Sequence, residues 1–128
     1  MRTILVVDDD PWVRVLARDV LAGEGYRVLE AADGQDAIRV AAEHPGPIHL
    51  LLSDVVMPGM NGCELAAGLV PLLPGLKVMF MSAYDRDFLV TSGLNPIGPV
   101  ITKPFTTEYL SRRVRMVLDR QPEAAPAG

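Results

Sequence analysis

The sequence predicts an α/β fold: a doubly wound parallel sheet of five strands, with helices on both faces. Three observations lead there. Short apolar, β-branched runs alternate with stretches of helical periodicity five times along the chain. The runs are continuously apolar rather than alternating, as in strands buried on both faces. Two of them stop at an acid, Val7-Asp8 and Ser53-Asp54. Strand–helix alternation of this kind implies parallel strands with right-handed crossovers.

Each element has its own signal. Residues 3–8 (Thr-Ile-Leu-Val-Val-Asp) read as the first strand, and Pro11 stands where a helix can begin. Val13, Leu16, Ala17, Val20 and Leu21 repeat at helical spacing, and Gly23 or Gly25 ends that helix. Residues 26–30 read as the second strand. Asp33-Gly34 opens the second helix, with Ala37, Ile38 and Ala41 expected on its inner face, and Pro45-Gly46-Pro47 breaks it. The third strand runs from Ile48 to Ser53. Met57 to Gly62 is a loop by composition. Asn61 and Glu64 have capping-box spacing, so a third helix starts there, bounded by Pro71 and Pro74. Lys77–Met81 reads as the fourth strand, with Ser82 after it, and a short, weakly patterned helix follows from Asp85. Residues 99–102 read as the fifth strand, ending at Lys103-Pro104. The last helix begins near Thr106, with Leu110, Val114, Val117 and Leu118 at helical spacing.

Composition narrows the function classes. The 128 residues are one domain's length, 49% apolar and 22% charged, a globular balance. The domain is read as residues 1–120, with 121–128, rich in Ala and Pro, as a flexible tail. The lone Cys63 excludes an intrachain disulfide and fits a reducing, cytoplasmic compartment. A net charge of −4 weighs against direct nucleic-acid binding, and no apolar run has the length of a membrane span. The N-terminus does not have the pattern of a secretory signal.

In open parallel sheets the ligand site lies beyond the carboxyl ends of the strands. The residues there are Asp8, Asp9 and Asp10, then Asp54, Ser82 and Lys103. Bare carboxylates brought together repel one another and need a shared proton or a hard cation. Mg²⁺ prefers oxygen ligands and is commonly held by one or two carboxylates plus phosphate, which this set fits. Lys103 adds a point charge suited to a phosphate oxygen, and Ser82 adds a hydroxyl. His44 and His49 fall away from this edge and read as structural.

Four motifs, Ile4 to Pro11, Ser53 to Gly62, Met81-Ser82-Ala83 and Lys103-Pro104-Phe105, stand in the order and spacing of a response-regulator receiver domain. Over residues 3–119 the chain resembles that family, most of all single-domain regulators and the receivers of hybrid sensor histidine kinases. The resemblance implies a flavodoxin-like (βα)5 fold with strand order 2-1-3-4-5. It implies that Asp54 is the phosphoacceptor, forming an acyl phosphate in a Mg²⁺-dependent reaction. Asp9, Asp54 and the backbone carbonyl of Val56 would hold the Mg²⁺, with Asp8 acting through water. Lys103 would neutralise the phosphoryl oxygens, and Ser82 would hydrogen-bond them once they are on Asp54. The Lys103-Pro104 bond would be cis. The donor would be a phosphohistidine of a sensor histidine kinase or a histidine phosphotransfer protein. A downstream protein would bind the 4-5-5 face, built from the fourth and fifth helices and the fourth and fifth strands. The same likeness leaves room for a homodimer. The chain would not be a turnover enzyme, catalysing only its own phosphorylation and dephosphorylation.

The chain also departs from the family. Where a switch aromatic often stands three residues before the lysine, this sequence has Val100, so what reads the motion of Ser82 is open, with Tyr84 a candidate. Asp10 stands where many relatives carry glutamate and reads as a helix-start acid. Val56 offers no polar group to orient a water, which implies slow hydrolysis of the acyl phosphate. Trp12 reads as a packing residue, Cys63 as a small helix-face residue, and Arg112, Arg113 and Arg115 as a solvated face. Two other functions compete. One is a phosphorylation-independent binding module. The other is a small Mg²⁺-dependent phosphatase of the haloacid-dehalogenase type, in which Asp8 would carry the phosphoryl group and Asp10 act as acid/base. With no output domain in these residues, the Met1 start and the tail fit a free-standing regulator, although a receiver cut from a hybrid kinase reads the same.

Overall fold

A computed structural model describes residues 1–120; the tail reading of 121–128 lies outside the described residues. The strands are β1 (Thr3–Val7), β2 (Arg27–Ala31), β3 (Leu50–Asp54), β4 (Lys77–Ser82) and β5 (Val100–Thr102). The helices are α1 (Pro11–Gly23), α2 (Gly34–Glu43), α3 (Gly62–Leu69), α4 (Arg86–Thr91) and α5 (Thr107–Asp119). The five strands are all parallel, in the order β2-β1-β3-β4-β5. The doubly wound sheet expected from the sequence and the strand order implied by the resemblance are both present.

Strand alternation divides the core in two. Leu5, Val7, Leu51, Val78 and Phe80 face α2, α3 and α4, where they meet Ala37, Leu65, Ala66, Leu69 and Leu89. Ile4, Val6, Leu50, Leu52, Met79, Met81 and Ile101 face α1 and α5, against Ala17, Leu21, Leu110, Val114 and Leu118. Each fully buried leucine or isoleucine contributes roughly 2 kcal/mol of transfer free energy, so two-sided burial holds the sheet together. Side-chain oxygens cap the helix starts: Asp10, Asp33, Asp85 and Thr106 each accept a backbone N–H of the first turn. Asn61 and Glu64 form the expected capping box. Lys77 closes the far end of α5, its ammonium donating to the carbonyls of Val117 and Leu118 at 3.1 Å each, and to that of Arg120.

Three side chains expected inside point outward. In α1 the inward stripe is Val13, Ala17, Val20 and Leu21, which leaves Trp12 85% and Leu16 44% exposed. Trp12 is therefore not a packing residue. In α2 the inward stripe is the small set Ala37, Val40 and Ala41, with Gly34 beneath Met60, and Ile38 falls on its flank. Boundaries also shift: Asp8 lies one residue past β1, and Ile48 and His49 precede β3. His49 has a structural role, its Nδ1 accepting the N–H of Thr3 at 2.8 Å.

Candidate functional site

Parallel pairing sets the strand ends side by side: Val7 is in register with Ser53, Asp54 with Met81, and Ser82 with Thr102. Asp8, Asp54, Ser82 and Lys103 therefore meet at one edge. Asp8 is fully buried. Its N–H donates to the Ala31 carbonyl at 3.2 Å, and one carboxylate oxygen accepts the Asp10 N–H at 2.9 Å. The other accepts the Lys103 ammonium at 2.9 Å. That ammonium also lies 3.4 Å from Asp54, whose side chain is nearly buried. Lys103 is anchored from behind by its own N–H, which donates to the Ser82 carbonyl at 2.7 Å, and the Lys103-Pro104 bond is cis as expected.

The loop after β3 presses on Asp54. A Cβ on Gly62 would sit 2.2 Å from the Asp54 carbonyl oxygen, so only glycine lets the start of α3 approach this closely. The Gly62 N–H reaches the Val55 carbonyl at 2.8 Å, and the Ser53 hydroxyl donates to the Asp54 carbonyl at 2.9 Å. The strand end that carries the nucleophile candidate is thus locked by its neighbours.

Asp8, Asp9 and Asp54 bring carboxylate oxygens within 4.8 Å of one another. Burial pushes the Asp54 carboxyl up to about 6, and the Asp8 charge adds to this, while Lys103 pulls it back. Burial disfavours the Lys103 ammonium, but its hydrogen bond to Asp8 and the charge of Asp54 outweigh that and hold its pKa above the usual lysine value. One ammonium thus contacts two of the three clustered carboxylates. An oxygen-only donor set with surplus negative charge suits a hard divalent cation, and Mg²⁺ fits these residues.

The remaining sequence candidates fall around this centre. Val56 is 55% exposed at the rim, and Asp10 is the exposed N-cap of α1. Ser82 is buried, and its hydroxyl oxygen accepts the Tyr84 N–H at 2.9 Å. Tyr84 stacks on Phe88 with ring centroids 4.5 Å apart, a pairing the sequence reading missed. Val13, Leu16, Ala83, Lys103, Pro104 and Phe105 line an apolar groove of about 430 Å³ beside the carboxylates. Cys63 is buried on α3, and burial raises its thiol pKa. Arg112 and Arg115 are exposed and Arg113 is part-buried. The sequence reading also missed Arg14, which lies behind the site and donates to the Asp8 carbonyl at 2.7 Å. Its place four residues after Asp10 was a usable signal, since it returns one helical turn later toward the same loop.

The family model described as "Response regulator receiver domain" matches residues 4–115. Sensor kinase CckA of Brucella abortus is 34% identical over 93% of this chain, which spans 13% of that protein. The probable transcriptional regulatory protein TcrX of Mycobacterium tuberculosis is 34% identical over 92% of the chain, which spans about half of that regulator. The crystal structure of the receiver domain from the hybrid histidine kinase CckA superposes with a TM-score of 0.77 at 38% identity, covering 91% of this chain and 99% of the other. Response regulator TrrA from Thermotoga maritima, in complex with Mg²⁺-BeF, gives a TM-score of 0.75 at 29% identity, covering 91% and 99%. Among the described residues, no helix is long and apolar enough to cross a membrane.

Proposed function

From the premise that the chain belongs to the response regulator receiver domain family of two-component systems, we propose that it is a phosphoryl-accepting switch whose acceptor is Asp54. The observation that carries this is the Lys103 ammonium held between Asp8 and Asp54, at 2.9 and 3.4 Å. In the proposed reaction a carboxylate oxygen of Asp54 attacks the phosphorus of a phosphohistidine. The N–P bond breaks, the ring, protonated on its other nitrogen, leaves as neutral imidazole with the electron pair, and Asp54 becomes an acyl phosphate. Lys103 keeps its contact with Asp8 and neutralises charge gathering on the phosphoryl oxygens. Ser82 turns its hydroxyl from Tyr84 toward the new phosphoryl group. Such transfers depend on positioning and charge stabilisation more than on covalent machinery. Mg²⁺, held by Asp9, Asp54 and the Val56 carbonyl, with Asp8 acting through water, would supply further positive charge at those oxygens.

The donor is a sensor histidine kinase or a histidine phosphotransfer protein in the cytoplasm, and the output is protein binding on the 4-5-5 face. With Val100 in place of an aromatic, the reader is the Tyr84–Phe88 stack. It joins the amide bonded to Ser82 to a side chain of α4. In this reading the chain turns over no substrate beyond its own acyl phosphate. A haloacid-dehalogenase-type phosphatase fits less well, because Asp8 is fully buried and tied to Lys103 and to the Asp10 amide.

Incubation with Mg²⁺ and acetyl phosphate, followed by intact mass, tests the reading. One added phosphoryl group is expected, absent without Mg²⁺ and in Asp54→Asn. No addition over a range of times and donors would move the assignment to a phosphorylation-independent binding module. Addition that survives in Asp54→Asn but not in Asp8→Asn would favour the phosphatase chemistry.

A further inference from the structure

We infer that Arg14 is a positioning residue for the cation site: it holds the backbone of the β1–α1 loop so that Asp8 and Asp9 present their carboxylates together. The inference rests on the proposed Mg²⁺-dependent reading of the site and adds a residue to it.

The loop from Asp8 to Asp10 leaves the sheet just where the carboxylates converge. The Asp8 N–H is still tied to β2 through the Ala31 carbonyl, whereas its carbonyl takes an Nη1–H of Arg14 at 2.7 Å. That bond is charge-assisted, so it is stronger than a neutral one. Arg14 is fixed in turn. Its Nε lies 3.4 Å from Glu30 of β2, and Glu30 also pairs with Arg18 at 3.1 Å. The side chain is only 20% exposed, and its backbone N–H closes the first turn of α1 on the Asp10 carbonyl at 3.1 Å. A planar guanidinium reaches the loop carbonyl and the β2 carboxylate at once, which a lysine cannot reproduce. Arg14 therefore stitches three pieces together: β1's exit loop, the start of α1 and the end of β2. Asp9, exposed and one residue from the clamped carbonyl, is the cation ligand with most to lose if the loop loosens.

Coulomb's law and loop positioning make opposite predictions here, which lets a single variant decide. Removing a positive charge behind a cation site, and leaving Glu30 less neutralised, would by charge alone tighten Mg²⁺ binding. Releasing the loop would weaken it, by about tenfold if Arg14 acts as partners behind metal ligands commonly do.

The test is calorimetric titration of the whole chain with Mg²⁺ in the absence of any phosphodonor, with circular dichroism to check the fold. Arg14→Met is expected to bind about tenfold more weakly. Arg14→Lys, which retains one donor and the charge, is expected to recover part of the loss and guards against a misfolded first variant. Arg18→Met removes the neighbouring guanidinium from Glu30 without touching the Asp8 carbonyl, and wild-type affinity is expected. Unchanged or tighter binding by folded Arg14→Met, with the wild type binding normally, overturns the positioning role alone. Equal weakening in Arg18→Met also overturns it, because the effect would then belong to Glu30. A wild-type chain that binds no Mg²⁺ overturns both this inference and the reading beneath it.

Discussion

Replacing Asp54 by asparagine should stabilise the protein while disabling the proposed acceptor, and the gain should depend on pH in a definite direction. In the folded chain the Asp54 carboxyl is pushed from 3.8 up to about 6, by burial first and by Asp8 second. A raised carboxyl pKa means that the folded state keeps the proton more tightly than the unfolded state. Below about pH 4 both states hold the proton and the group contributes nothing. As pH rises from about 4 to about 6, the unfolded chain ionises first and stability is lost. Above that window the loss is complete. A shift of about two units at 1.36 kcal/mol each gives roughly 3 kcal/mol, with the relief from Lys103 already included. Urea unfolding of the metal-free wild type and of Asp54→Asn, at about pH 4 and about pH 7.5, reads the difference directly. The variant should be more stable by about 3 kcal/mol at the higher pH and by well under about 1 kcal/mol at the lower. Adding Mg²⁺ should close the gap from the wild-type side, because a cation that binds only the folded state stabilises it by mass action. A variant that is less stable at neutral pH, or equally more stable at both, would refute the reasoning. In the first case Asp54 would be held by favourable contacts, and in the second the gain would not come from its ionisation.

Lys103→Met leaves the fully buried Asp8 without its ammonium, so it should cost about 3 kcal/mol in urea unfolding and abolish labelling by acetyl phosphate in intact mass. Val56→Asn puts a polar group at an exposed rim position, and the phosphoryl group should be lost from Asp54 several-fold faster by timed mass measurement. Lys77→Met removes a cation from three carbonyls at the end of α5 and should lower stability by about 1–2 kcal/mol, with labelling of Asp54 unchanged.

Much of the site was legible because its residues follow strand ends, and strand ends are visible as the points where apolar runs stop. Asp8, Asp54, Ser82 and Lys103 were all found this way, and the sheet brings them to one edge. The Asn61–Glu64 capping box was legible for a similar reason: both partners lie within one helical turn. What failed was facing. Trp12, Leu16 and Ile38 all sit at positions that helical periodicity allows inside, and their exposure depends on where each helix rotates against the sheet. The Tyr84–Phe88 stack was missed although the two stand four residues apart, because Tyr84 precedes the N-cap of α4, where helical spacing does not by itself set facing. Arg14 was passed over because its partners, the Asp8 carbonyl in the loop after β1 and Glu30 on β2, are brought together only by the sheet.

The sequence by itself determined the order of elements, the parallel sheet and the identity of the groups at its carboxyl edge. These follow from local patterns: apolar runs, caps, glycines and prolines, each read within a few residues. Only the tertiary structure decided which charges face one another. The Lys103 ammonium is 2.9 Å from Asp8, 95 residues away in the chain, and 3.4 Å from Asp54. The raised proton affinity of Asp54 comes from burial and from Asp8, neither of which is a property of its own segment. Charge interactions fall off over a few ångströms in space regardless of sequence separation, so the electrostatics of the site came into being when the sheet closed.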